Sequence, residues 1–501
     1  MTKKLRTTGE WTPELLDEYY QEIEKIAVED LQLTTYPNQL EIISSDQMLE
    51  AYSTHAMPVM YNHWKFGKDF VANKSAYDKG QMNLAYEVVI NSSPCIAYLM
   101  EENSIMMQAL VTAHACFGHN AFFKNNYLFR DWTNASFIVD YLSFAKKFVT
   151  QCEEKYGQDN VEMFLDACHA IELYGVDKYR RNRNPSSIEK EAEKLKSMIF
   201  TDANYDDVLS QTIAKSKAKL KWKVNPFSAF KDMEPEENLL YFFEKKAPYL
   251  EDWQRELLRI VRKVAQYFYP QRQTKLINEG FATFTHYNIM NRLYEKGLVD
   301  EGFMLEFLES HTAVTRQVPY THPGYKYMGI NVYSLGFRMF QDIKRICMEP
   351  TDEDREWFPD FAGNGKWVET TNWAMENFRD ESFVLQFLSP KLIRDYRMFA
   401  YEDLEMDSHI TITDIHNKNG YANIRQRLAQ MYDIQEILPN LQVTSVDPKT
   451  RELTITHVSP NKTFLDEEDI DMVISYIKEI WLFDVSIVSA QTVDSDPFDE
   501  N

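Results

Sequence analysis

The sequence predicts a large, mainly α-helical N-terminal domain to about residue 400, followed by a small α/β domain. Three observations predict it. Glycine is scarce, 15 of 501 residues, against a usual share of about 7%, and the chain is rich in Leu, Met, Glu and Lys, all good helix formers. Apolar residues recur at helical spacing through the stretches 95–175 and 253–388. After residue 408 short runs alternate strictly, as strands do.

Thr12-Pro13-Glu14 opens the first helix, with Thr12 as N-cap and Pro13 at the first helical position. That helix runs to Ala27. Residues 36–68 are mixed, with Pro37, Pro58 and the aromatic knot His63-Trp64-Lys65-Phe66-Gly67. Helical period fills 95–175, interrupted near Gly118–Asn126 and at Gly157. Residues 183–235 are polar and carry Pro185, Pro226 and Pro235, which predicts an insertion within a 1–400 core domain. Helical period resumes at Trp253 and runs through Tyr269, where Pro270 marks a boundary. Further helices are expected around 274–296, 300–310, 333–348 and 367–388.

In the C-terminal domain, 405–495, His409–Thr413 reads as a strand and Gly420–Tyr432 as a helix. Leu441–Val446 and Glu452–Val458 form a hairpin about Asp447-Pro448-Lys449-Thr450. Leu465–Trp481 is a helix and Asp484–Val488 a last strand. The order β-α-β-β-α-β matches a ferredoxin-like arrangement.

A formal charge of −23 argues against a nucleic-acid-binding protein, which needs a basic footprint. Five scattered cysteines with no Cys-x-x-Cys pair fit a reducing cytoplasm rather than a disulfide framework. No targeting segment and no transmembrane run of about 18 apolar residues is expected.

Two distant segments carry the chemistry: His114-Ala115-Cys116-Phe117-Gly118-His119 and Leu276-Ile277-Asn278-Glu279-Gly280-Phe281-Ala282. Two imidazoles and one carboxylate on two helices form the protein ligand set of a catalytic zinc site, with one position left for water. His-Glu-x-x-His metalloproteases space their histidines four apart. Here they are five apart, about 7.5 Å of rise and about 140° of rotation on a regular α-helix. Both reach one ion only if the helix tightens, bulges or ends near Gly118, and a π-bulge would do it. Ala115 stands where the general base of such proteases lies, so the base must come from elsewhere. Glu102 is the first candidate, provided the chain bends before His114. His286, seven residues after Glu279, is a candidate contact for a developing oxyanion. Asp166-Ala167-Cys168-His169 has the carboxylate–His spacing of di-iron bundles, but companion carboxylates are not clearly placed. The plainer alternatives are hydrogen-bonded core histidines and a Glu279 paired with an arginine such as Arg292.

Blocks along almost the whole chain resemble the stage V sporulation protein R (SpoVR) family, close to its non-sporulating, enterobacterial-type branch. They include Tyr61–Lys68, Pro94–Asn103, His114–Asn126, Tyr267–Gln271, Asn278-Glu279-Gly280 and Gly329–Phe337. The family is named for a phenotype, late spore-cortex formation. Members outside spore formers imply a wider role in stationary phase or in the envelope. Asn278-Glu279-Gly280-Phe281-Ala282 is also similar to the segment of gluzincin aminopeptidases whose glutamate is the third zinc ligand.

Two functions follow as expectations. One is a zinc-dependent hydrolase with a zincin-like core, His114, His119 and Glu279 as ligands, acting on amide bonds such as those of peptides or peptidoglycan. The other is a non-catalytic regulatory or scaffold protein on a degenerate metalloprotease-like fold. Either way, protein partners are expected.

Overall fold

The computed structural model describes residues 4–54, 57, 59–79, 87–179, 234–319, 329–402, 411–458 and 465–490. It is mainly helical, and only short strands occur among the described residues. The chain divides into two compact units, one of residues 1–162 and 267–438, the other of 163–266 and 439–501. The second unit therefore begins again at Pro439 rather than at 405, and it draws on a middle stretch of the chain. The expected insertion falls outside the described residues from 183 to 233. No helix among the described residues is long and apolar enough to cross a membrane.

In the first unit, Thr12 caps the Pro13–Lys25 helix by accepting from Leu15 N at 3.3 Å. The helix buries Leu15, Leu16, Tyr19 and Ile23, an i, i+4 stripe facing the core. A three-stranded sheet follows in the order β1-β3-β2: β1 is Asn38–Ile43, β2 Glu87–Ile90 and β3 Cys95–Met100. β1 runs parallel to β3, and β2 antiparallel to it.

The helix Asp252–Arg272 runs past Pro270, so the expected boundary comes two residues later. The next helix, Lys275–Glu295, starts with its N-terminal amides satisfied from outside. Asp380 accepts from Leu276 N at 2.9 Å and from Ile277 N at 2.8 Å, covering two donors that a helix start leaves without partners. This helix crosses the Val332–Met348 helix at Gly280 and Gly336. A Cβ on Gly280 would lie 2.5 Å from the Gly336 backbone, so only glycine permits the approach.

Each element expected after residue 408 has a counterpart, although His409 and Ile410 of the first strand lie outside the described residues, and their assembly differs. β5 (Thr411–Asp414) pairs antiparallel with β4 (Ala400–Glu402) and belongs to the first unit. The helix after it, Lys418–Gln430, buries Tyr421, Ile424 and Leu428 in that unit's main core. Among the described residues the C-terminal sheet has β6 (Asn440–Val446), β7 (Leu453–Val458) and β8 (Val485–Ala490), in that order, with β8 parallel to β7. The ferredoxin-like arrangement is thus corrected: its first strand and helix are absent from the sheet. The free edge of β6 is met instead by Glu236, which exchanges two backbone hydrogen bonds with Val443 at 3.0 and 2.9 Å. Phe242 and Phe243 of the Leu239–Lys246 helix pack on Trp481 of the Glu467–Trp481 helix, ring centroids 5.9 and 6.3 Å apart.

Candidate metal centre

The site begins with a change of helix type. Ser104 caps the Ile105–Thr112 α-helix by accepting from Met107 N at 3.1 Å. At Ala113 the helix widens into a π-helix that lasts to His119. Asn120 N–H then donates to Ala115 O, an i→i+5 bond. This pitch brings the two histidines five residues apart onto one face, with ring centroids 4.6 Å apart and planes at 85°. The widening coincides with a close helix crossing. A Cβ on Gly118 would lie 2.6 Å from Ala282 Cα. Glycine at this point lets the π-turn touch the Lys275–Glu295 helix and meet Glu279.

Four side chains of the first unit converge. His119 Nε2 lies 3.5 Å and His114 Nε2 3.7 Å from Glu279 Oε2. The fourth is Glu87, the first residue of β2, whose Oε1 is 3.4 Å from His114 Nε2. Glu87, His114 and His119 each offer a ligand atom within 4.8 Å of the others. The second oxygen of Glu87, Oε2, is buried and has no hydrogen-bond partner. Among the described residues, neither glutamate forms an ion pair with a lysine or arginine. Arg292, weighed as a partner of Glu279, pairs instead with Glu295 at 2.7 Å and Asp30 at 3.8 Å.

The remaining polar atoms fix the rings. His119 Nδ1 is 2.9 Å from Asn278 Oδ1. An amide oxygen only accepts, so Nδ1 donates and Nε2 of the neutral ring carries the lone pair. His114 Nδ1 is 2.9 Å from His286 Nδ1, and His286 Nε2 is 3.0 Å from His311 Nδ1. Glu279 is also hydrogen-bonded by Tyr333.

Burial and charge then set protonation. Burial, reinforced by Glu279, pushes the Glu87 carboxyl up to about 7, against the pull of His114. Burial opposes ionisation of Glu279 too, but His119, His114 and the Tyr333 hydroxyl outweigh it and hold its pKa below the usual carboxylate value. Burial lowers His119 to about 4, with Glu279 opposing and His114 adding to the drop. His114 moves the other way: burial disfavours its charge, yet Glu87 and Glu279 raise its pKa. His286 is held well below its ordinary value by burial and by the neighbouring imidazoles. Burial lowers His311 to about 4.

The structure thus brings His114, His119 and Glu279 together and places other predicted residues differently. Glu102 is exposed on the turn before the Ile105–Thr112 helix. That helix runs unbroken into the π-turn, so the bend that would carry Glu102 to the centre does not occur. His286 is buried beside the centre, but both its ring nitrogens are engaged by histidines, which leaves none to face an oxyanion. His169 pairs with Glu172 at 2.8 Å. Glu87 stands in no motif of the sequence; its local signal is a carboxylate that opens the apolar run Glu87-Val88-Val89-Ile90. Its proximity to His114 depends on a β-strand meeting a helix, which no local spacing reveals.

Comparisons with known proteins agree over the length of the chain. A family model described as "SpoVR like protein" matches residues 10–437, and one described as "SpoVR-like C-terminal domain" matches 439–492. The chain belongs to the SpoVR family. This SpoVR chain is 52% identical over 487 residues to "Uncharacterized protein YcgB" of Escherichia coli strain K12, covering 97% of the chain and 94% of that protein. That relative accords with the non-sporulating branch to which the sequence blocks pointed. The boundary between the two family models coincides with the start of the C-terminal part of the second unit at Pro439. No solved structure matches the chain.

Proposed function

We propose that this SpoVR protein binds a divalent cation, zinc in the first instance, and hydrolyses amide bonds. One observation carries the reading. Nε2 of His119, left as a lone pair by the Asn278 bond, lies 3.5 Å from a carboxylate oxygen of Glu279. Two acceptors this close, largely withdrawn from water, repel unless a positive centre lies near both. The orphaned Glu87 Oε2 supports the same reading. So does the donor set of two imidazoles and carboxylates without thiolate, which suits zinc and neighbouring divalent ions. His114, His119 and Glu279 would hold the ion, on a zincin-like pair of helices.

A bound ion of this kind polarises a carbonyl and makes water a stronger nucleophile near neutral pH. The chain's own residues would do the rest. Glu87 replaces Glu102 as the general base. Its carboxyl, raised to about 7, is matched to taking a proton from water and passing it to a leaving amine near neutral pH. The Tyr333 hydroxyl and Asn278 orient Glu279 and His119. The family phenotype makes peptidoglycan peptides the first substrates to try, in a stationary-phase or envelope role, with a cytoplasmic protein acting on precursors or fragments. The small, acidic C-terminal part of the second unit, from Pro439 onward, would bind a protein partner. Wild type loaded with zinc should release amine from peptidoglycan peptides. Glu87→Gln should keep the zinc and lose the activity. A zinc-loaded wild type with no amidase activity on peptide panels would defeat the hydrolase reading.

The second reading, a regulatory or scaffold protein, is favoured by one feature. A protonated His114 between Glu87 and Glu279 satisfies part of the cluster with no ion. In that case the folded protein takes up no metal.

A further inference from the structure

We infer that His286 and His311 form a directional imidazole chain that keeps the Nε2 of His114 free for a cation, and that both are positioning residues of the centre. The inference rests on the cation-binding reading above. A neutral imidazole has one N–H and one lone pair, so each of the two nitrogen–nitrogen contacts, 2.9 Å and 3.0 Å long, holds one proton. The chain therefore has two senses.

In the first sense, His114 Nδ1–H donates to His286 Nδ1. The His286 proton then sits on Nε2 and donates to His311 Nδ1, and the His311 proton sits on its own Nε2. Nε2 of His114 is left as a lone pair beside Glu87 and Glu279, 3.4 and 3.7 Å from their oxygens. In the reverse sense, His114 carries its proton on Nε2, aimed at those carboxylates, and offers a cation no lone pair. One sense accepts an ion and the other refuses it, and the choice is shared by residues on three helical segments. Metal-binding histidines commonly have the other ring nitrogen fixed in this way by a carboxylate or carbonyl. Here two further imidazoles take that role.

Aromatic packing keeps the chain in line. The Phe307 ring meets His286 edge-on at 6.1 Å and 89°. Phe337 meets His311 at 4.7 Å and 79°, with Tyr287 on another side at 5.1 Å. Both histidines are buried, which shields the two bonds from exchange with water.

The test reads tautomers and affinity together. In zinc-loaded wild type labelled with ¹⁵N-histidine, His286 and His311 should both be protonated at Nε2. His286→Phe should lower zinc affinity, measured by chelator competition, by about 10- to 100-fold. His286→Gln, whose amide both donates and accepts, should recover part of the loss. A His286 carrying its proton on Nδ1 in the loaded protein would overturn the inference. So would a folded His286→Phe that binds zinc as tightly as wild type. If wild type itself binds no zinc, the cation reading and the chain fall together. If wild type binds and only the variant or tautomer result disagrees, the centre stands and the chain does not.

Discussion

Gly118→Ala tests the geometry on which the site depends. The added Cβ would lie 2.6 Å from Ala282 Cα and 2.7 Å from Ala282 Cβ. Carbon atoms in contact prefer about 3.5–4.0 Å, so the π-turn and the Lys275–Glu295 helix must separate by about 1 Å. Overpacking of this kind costs about 1–3 kcal/mol. The separation also moves Glu279 away from the two imidazoles. If an ion must draw the helices back, the same strain opposes binding and weakens it roughly 5- to 150-fold. Urea unfolding followed by circular dichroism reads the first effect, and zinc–chelator competition the second. An alanine variant with unchanged stability and zinc affinity within about twofold of wild type would refute the claim that this crossing assembles the centre.

Other consequences are open to measurement. Asp380→Ala should destabilise the first unit by about 1–3 kcal/mol, because two buried amides of Leu276 and Ile277 lose their acceptor; Asp380→Asn, which keeps an oxygen, should lose less in the same urea titration. Glu87 has its folded pKa raised from 4.5 to about 7, so the metal-free folded state binds more protons than the unfolded one in that window and stability falls as pH rises through it. Glu87→Gln should therefore gain stability relative to metal-free wild type between pH 4.5 and 7, by up to the order of 3 kcal/mol, and a difference that stays flat with pH would contradict the buried-carboxylate account. His119, lowered to about 4, acts in the opposite direction: its contribution is lost as pH falls from about 6.5 to about 4, and His119→Gln should flatten the acid limb of the stability curve. Glu102→Gln, on an exposed turn, should leave stability within about 0.5 kcal/mol and zinc affinity unchanged.

The readable parts of this protein were those written in local pattern. The Thr12 cap, most of the helical mass, the hairpin about Asp447 and the last helix and strand follow from spacing and turn chemistry and are present, whereas Cys95–Met100, within the expected helical stretch, is the strand β3. The five-residue histidine spacing requires a helix that tightens, bulges or ends near Gly118, because a regular α-helix would turn the rings apart; of these the structure has a π-turn over Ala113–His119. What stayed hidden was long-range. Glu87 reaches His114 from a strand, and Glu236 completes the edge of a sheet some 200 residues later in the chain. The helix at Lys418–Gln430 has the period of any amphipathic helix; only its burial of Tyr421, Ile424 and Leu428 in the first unit's core shows which unit it joins. Glu102 depends on a bend before His114 that local pattern does not decide, and it lies exposed on the turn before the Ile105–Thr112 helix.

The most direct measurement is the metal content and zinc affinity of the purified full-length chain, stripped with chelator and retitrated, beside His119→Ala and Glu279→Gln. One ion per chain is expected for wild type, with binding lost or weakened at least about 100-fold (about 2.7 kcal/mol) in both variants while the fold is retained. A folded wild type that takes up no divalent ion, or variants that bind as wild type does, would contradict a metal centre at His114, His119 and Glu279.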